Sequence, residues 1–229
     1  MPDETEILIG FVLFPGFTGL DLIGPHEILA RLNAKCVLVA NNLEPVSTSH
    51  GLRVLPDLTF STCPQLHVLV VPGGPGQEQA MYNEELISFV AQQSAKSRWT
   101  ASVCTGALLL ARAGLLMQRH ATTHWLAMDE LHRLGAIATN KRVAWEDPVV
   151  TAAGVSAGID MALQLASALA GQQAAQRIQL AIEYDPEPPF DAGSPDKAPK
   201  EVVDHLRSTS RFARDKKCKG ESRLEHESR

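Results

Sequence analysis

No apolar run in this 229-residue chain approaches the roughly 18 residues that a membrane-spanning helix needs. No CxxC pair occurs either. Cys36, Cys63, Cys104 and Cys218 stand singly and without metal-ligand spacing. That argues against a disulfide framework and a structural metal, and it suits a reducing compartment. Positive charge is not in excess: 21 Lys and Arg face 26 Asp and Glu, for a net charge of −5. Mixed charge of this kind gives no electrostatic footprint for nucleic acid. The opening Met-Pro-Asp-Glu-Thr-Glu is acidic and leads straight into an apolar run, which is not a signal-peptide pattern. Internal repeats are absent. The chain is therefore expected in the cytoplasm, away from membranes and nucleic acid.

Apolar residues make up 45% of the chain, enough for a sizeable core. Strand-like runs at Ile7–Phe14, Cys36–Ala40, Val68–Val71, Trp99–Val103 and Val149–Ala152 alternate with helical patterns. Those patterns cover Leu20–Leu32, Glu84–Ser97, Thr105–Ala113, Leu126–Leu134, Gly158–Leu169 and Gln172–Ile182. Strands that read as unbroken apolar runs are buried on both faces. The alternation predicts an α/β fold: a mainly parallel, flavodoxin-like sheet with helices on both faces. Glu44–Leu58 alternates without a helical period and predicts a short hairpin, and a further β excursion is expected near Arg142–Trp145. Three regions are expected: an α/β domain over 1–184, a proline-rich strap with a short helix over 185–210, and a charged, disordered tail over 211–229. The tail is expected to be dispensable.

The chemistry concentrates at Ala101-Ser-Val-Cys104-Thr-Gly-Ala107. A β-type run stops at a cysteine and a helical run starts directly after it, with small residues on either side. That is the pattern of a nucleophile elbow, in which a crowded strand-to-helix turn pushes one side chain out of the sheet. The following helix N-terminus is expected to favour the thiolate. A buried structural cysteine is the plain alternative. In open α/β sheets the site lies beyond the carboxyl ends of the strands, where two more segments converge. Pro72-Gly73-Gly74-Pro-Gly76 follows the third buried run, and its glycines let N–H groups approach a bound atom as an oxyanion hole. Asp21 sits among Leu20, Leu22 and Ile23, so its carboxyl should titrate high and stay protonated. Helix capping is its alternative role. His124, in Thr122-Thr-His-Trp, is a rival base, with a structural or pocket-lining role as its alternative. Phe17, Trp145 and Ile159 are expected to line an apolar pocket above Cys104.

Together these residues resemble the ThiJ/PfpI superfamily of class I glutamine amidotransferase-like proteins. The resemblance rests on Asp21 with Gly-Pro following, Val71-Pro-Gly-Gly74, the Cys104 segment and Thr151-Ala-Ala-Gly-Val-Ser-Ala-Gly-Ile-Asp160. It spans about Ile7 to Ile182 and implies an acid, Asp21, beside the elbow cysteine. Two groups within it share Ser-Val-Cys-Thr-Gly-Ala and Thr-Thr-His-Trp: the isonitrile hydratases and the amidotransferase-like domains of AraC-type regulators. Glu183-Tyr-Asp-Pro-Glu-Pro-Pro-Phe-Asp-Ala-Gly-Ser194 is similar to the hydratases, and no helix-turn-helix units follow it. The peptidase branch carries histidine where Thr105 stands here. The resemblance thus implies a cofactor-free hydratase acting on a small isocyanide. Cys104, Asp21 and Thr105 would be catalytic, Gly73 and Gly74 would orient water or oxyanion, and the assembly would be a homodimer. A non-enzymatic sensor with an oxidisable cysteine and a glyoxalase-like enzyme are the alternatives.

Overall fold

A computed structural model describes residues 7–213. In chain order the strands are β1 (Ile7–Val12), β2 (Ala34–Ala40), β3 (Val46–Ser47), β4 (Arg53–Val54), β5 (Leu58–Thr59), β6 (Val68–Val71), β7 (Trp99–Val103), β8 (His120–Ala121), β9 (Ile137–Ala138), β10 (Val143–Glu146) and β11 (Val149–Ala152). The helices are α1 (Gly19–Leu29), α2 (Gln77–Ala80), α3 (Glu84–Ser94), α4 (Gly106–Arg112), α5 (Met128–Arg133), α6 (Ala157–Ala170), α7 (Gln172–Ala181) and α8 (Lys200–Thr209).

Seven strands form one sheet in the order β10-β11-β7-β6-β1-β2-β5. Every pairing is parallel except that of β10 with β11. The central strands β6 and β7 are buried along their whole length, as expected of parallel strands covered on both faces. One helical layer is α1, α6 and α7; the other is α3, α4 and α5. The expected hairpin is β3 with β4, and β10 is the expected excursion.

Local sequence sets the helix ends. The Asn83 side chain accepts the Leu86 N–H at 3.1 Å, and Glu84 and Glu85 fill the first turn of α3, the favourable end for negative charge. Leu86, Ile87, Phe89 and Val90 then form its buried face.

The C-terminal region departs from expectation. Tyr184 Oη donates to Asp160 Oδ1 at 2.7 Å and pins the start of the strap to α6. The short helix extends over ten residues as α8, which buries Val203 and holds the Arg207 guanidinium 5.7 Å from the centre of the Trp125 ring. Residues 211–213 are helical and packed, with Phe212 against the core, so the tail does not begin at Arg211. The rest of the expected disordered tail, including Cys218, lies outside the described residues.

Candidate active site

Cys104 follows β7 directly and has φ 55°, a left-handed conformation that costs a non-glycine residue about 1–2 kcal/mol. Its backbone is clamped from three sides. The Cys104 N–H donates to the carbonyls of Ala152 (3.1 Å) and Ala153 (2.9 Å), and Thr123 Oγ1 donates to the Cys104 carbonyl at 2.8 Å. These bonds hold the elbow in its strained form. Close approach does the rest: a Cβ on Gly73 would lie 2.4 Å from the Thr105 nitrogen, so only glycine fits there.

Asp21, in the first turn of α1, is fully buried. It does not cap the helix. Its Oδ2 accepts the Gly73 N–H at 2.9 Å, across 52 residues of sequence. Oδ1 has no well-formed hydrogen bond. The carboxyl instead meets the Cys104 thiol, close enough to interact though not aligned as a full hydrogen bond. Burial pushes the Asp21 carboxyl up to about 7, against the bonds from Gly73 and Cys104. Burial pushes the Cys104 thiol up to about 12, and the Asp21 charge adds to the rise. The expectation of a thiolate stabilised by the helix N-terminus is therefore corrected. Desolvation outweighs what a helix of seven residues supplies. Near neutral pH the thiol therefore keeps its proton while the Asp21 carboxyl is close to its midpoint, and the two titrate as a coupled pair.

Thr105 Oγ1 accepts the Gly74 N–H at 2.9 Å and lies 3.3 Å from the Gly74 carbonyl, to which it can donate. Thr105 also faces the thiol with both its N–H and its hydroxyl. The Gly73 and Gly74 N–H groups, expected to bind an oxyanion or water, are thus taken by Asp21 and Thr105. Their role is to hold the acid and the hydroxyl in place.

A cavity of about 850 Å³ opens at this edge. Thr123 and Ala153, both bonded to the Cys104 backbone, are in its wall, whereas Cys104, Asp21 and Thr105 themselves lie just behind it. Its apolar surface comes from Leu20, Trp125, Met128, Val155 and Val203. His124 lines it as well, held neutral by burial and by the nearby positive charge of Arg211. The three residues expected to line the pocket lie elsewhere. Phe17 is fully buried, edge-on to Phe14. Trp145, on antiparallel β10, packs against Trp99 at the opposite end of β7 from Cys104. Ile159 fills the α1–α6 contact against Gly24. Among the described residues no group of His, Cys, Asp and Glu is arranged to hold a metal ion.

Comparison with known proteins identifies the family. Residues 8–168 match the model of the DJ-1/PfpI family. The chain belongs to the DJ-1/PfpI family. It is 48% identical over 200 residues to an isonitrile hydratase of Pseudomonas putida, covering 87% of this chain and 88% of that one. A solved ThiJ/PfpI family protein from Pseudomonas syringae superposes with a TM-score of 0.87 at 40% identity, covering 91% of each chain. The transcriptional regulator GbdR of Pseudomonas aeruginosa is 29% identical over 76% of this chain, which spans 48% of the regulator.

Four contributors carry little signal in the sequence. Leu20 and Trp125 adjoin residues already singled out, Asp21 and His124, and were readable only as neighbours. Val203 falls in the expected short helix, which carried no sign of facing the site, and Arg211 opens a tail whose composition promised solvent.

Proposed function

We propose that this protein is an isonitrile hydratase, adding water to an isocyanide R–N≡C to give an N-substituted formamide. The likeness to the Pseudomonas putida enzyme over nearly the whole chain carries the reading. The buried Asp21–Cys104 pair supplies a chemistry for it. The terminal carbon of an isocyanide is basic, and once protonated it is electrophilic. It therefore needs a proton and a soft nucleophile at one atom. The thiol proton passes by way of the Asp21 carboxyl to that carbon while the Cys104 sulfur bonds to it, giving R–N=CH–S–Cys104. Water adds to the same carbon with Asp21 as its base. The tetrahedral adduct R–NH–CH(OH)–S–Cys104 then collapses: the C–S bond breaks, R–NH–CHO leaves and the thiol regains its proton. Thr105 holds the sulfur throughout. Nothing in these steps calls for a metal or an organic cofactor.

A sensor with an oxidisable cysteine needs no substrate cavity, whereas a turnover site does, and the 850 Å³ space bordered by Thr123 and Ala153, the partners of the Cys104 backbone, supports the enzyme reading. Free thiols fit a cytoplasmic setting. A homodimer would cover the exposed Phe190 of the strap and Leu206 of α8. The direct test incubates the protein with cyclohexyl isocyanide and follows N-cyclohexylformamide by NMR, with Cys104→Ala as control. Turnover is expected from the wild type alone; equal rates from both proteins sink the reading.

A further inference from the structure

Arg211 lies in a stretch rich in Lys, Arg, Glu and Ser, where a solvated side chain is expected. Its surroundings are otherwise. Val203 and Arg207 fix α8 on the cavity wall, Phe212 packs against the core, and the Phe212 N–H donates to Ser210 Oγ at 3.2 Å. The chain is thus pinned on both sides of Arg211. The guanidinium donates to the carbonyl of Pro75, to the carbonyl of Gly74 at 3.1 Å and to Gln77 Oε1 at 3.1 Å. Gln77 is itself only 2% exposed. All three hydrogen-bond acceptors are neutral oxygens; the charges that act on this half-buried cation are Glu78 and then Cys104, and the Phe212 ring centre lies 4.8 Å from it.

The Gly74 peptide is also the one that grips Thr105. Its N–H donates to Thr105 Oγ1, leaving the single hydroxyl proton two competing acceptors, the Gly74 carbonyl and the Cys104 sulfur. A guanidinium on a carbonyl draws its electron density and weakens it toward a second donor. We propose that Arg211 is a positioning residue for the nucleophile: by occupying the Gly74 carbonyl it turns the Thr105 hydroxyl toward the Cys104 sulfur. Its positive charge acts in the same direction on the thiol, against burial and Asp21. The kinetic readout of this inference rests on the hydration reading above; its thiol readout does not.

The test measures alkylation of Cys104 by iodoacetamide in the full-length chain, quantified on the Cys104 peptide by mass spectrometry. The rate between pH 7 and 10 reports the thiolate fraction. Arg211→Met is expected to slow alkylation at pH 8 about tenfold and to lower kcat for isocyanide hydration by a similar factor, with KM within threefold. Arg211→Lys, which keeps charge without the planar fork, should recover only part of both, and it keeps the question open should the methionine variant unfold. In a Thr105→Val background, Arg211→Met should change alkylation by no more than about threefold, the part its charge supplies without the hydroxyl. Unchanged alkylation in Arg211→Met overturns the inference. So does full recovery by lysine, or a tenfold effect that persists without the Thr105 hydroxyl. If the alkylation pattern holds but no isocyanide is hydrated, the hydratase reading falls and this one stands.

Discussion

Asp21 is a carboxyl group placed where folding works against its charge. The folded chain holds the Asp21 proton to about pH 7, while the unfolded chain releases it near 3.8. Folding between those values takes up a proton, so this group's contribution to stability falls as pH rises from about 4 to 7 and stays low above. The difference amounts to up to about 4 kcal/mol. Asp21→Asn keeps an acceptor for the Gly73 N–H without the charge. It is expected to be nearly inactive, yet to melt at a higher temperature than wild type at pH 8, with the gain vanishing toward pH 4. Thermal scans across that range check it, and an unchanged melting difference across the range contradicts it. Cys104→Ala and Cys104→Ser should fold and lose hydration altogether; a tenth of wild-type turnover in either removes the sulfur from the mechanism. Thr105→Val should cost on the order of 10²-fold in kcat, as for a lost catalytic hydrogen bond. At this scale the sequence was informative about Asp21 because its apolar neighbours announced burial. It was misleading about the thiol, because a helix start is visible in a sequence and the completeness of burial is not.

The elements around the site are locked by backbone contact more than by side chains. A Cβ on Gly76 would sit 1.8 Å from the Pro15 carbonyl oxygen, and the Gly16 N–H donates to Ser47 at 2.8 Å. The loop after β1, the loop after β6 and the elbow after β7 therefore interlock. Gly73→Ala and Gly76→Ala should each destabilise the fold by about 2 kcal/mol or more and abolish activity, since backbone must move to admit the methyl. Urea midpoints with parallel rate assays check this; a fully active alanine variant at either position contradicts it. The strands and helices of the sheet were legible because each carries its period in its own residues. The pocket lining was not. Trp145 had the right chemistry, but the antiparallel run of β10 carries it to the far end of β7, a matter of strand direction that residue type does not encode.

Across the whole molecule, the chain's last described segment returns to its first loops. Arg211 reaches Gly74 and Pro75 over more than 130 residues of sequence. Removing residues 211–229 is therefore expected to cost about tenfold in kcat, in contrast to the neutral deletion that the composition suggests. A truncated chain with full activity contradicts this. Light scattering should give a mass near twice 24.8 kDa, the dimer covering Phe190 and Leu206. A mass near 25 kDa at micromolar concentration would exclude it. Long-range docking of this kind leaves no local pattern: a lone arginine in a polar stretch reads as solvated until its acceptors are seen.

The glycine interlock also separates what protein engineering can alter from what it cannot. The interlocked loops that carry Gly73, Gly76 and the elbow admit no new side chain, so randomising them would return only dead clones. The cavity wall itself offers Leu20, Trp125 and Met128, which lie outside that interlock. A library aimed at bulkier or smaller isocyanides should vary those three positions and leave the chemistry beneath them untouched.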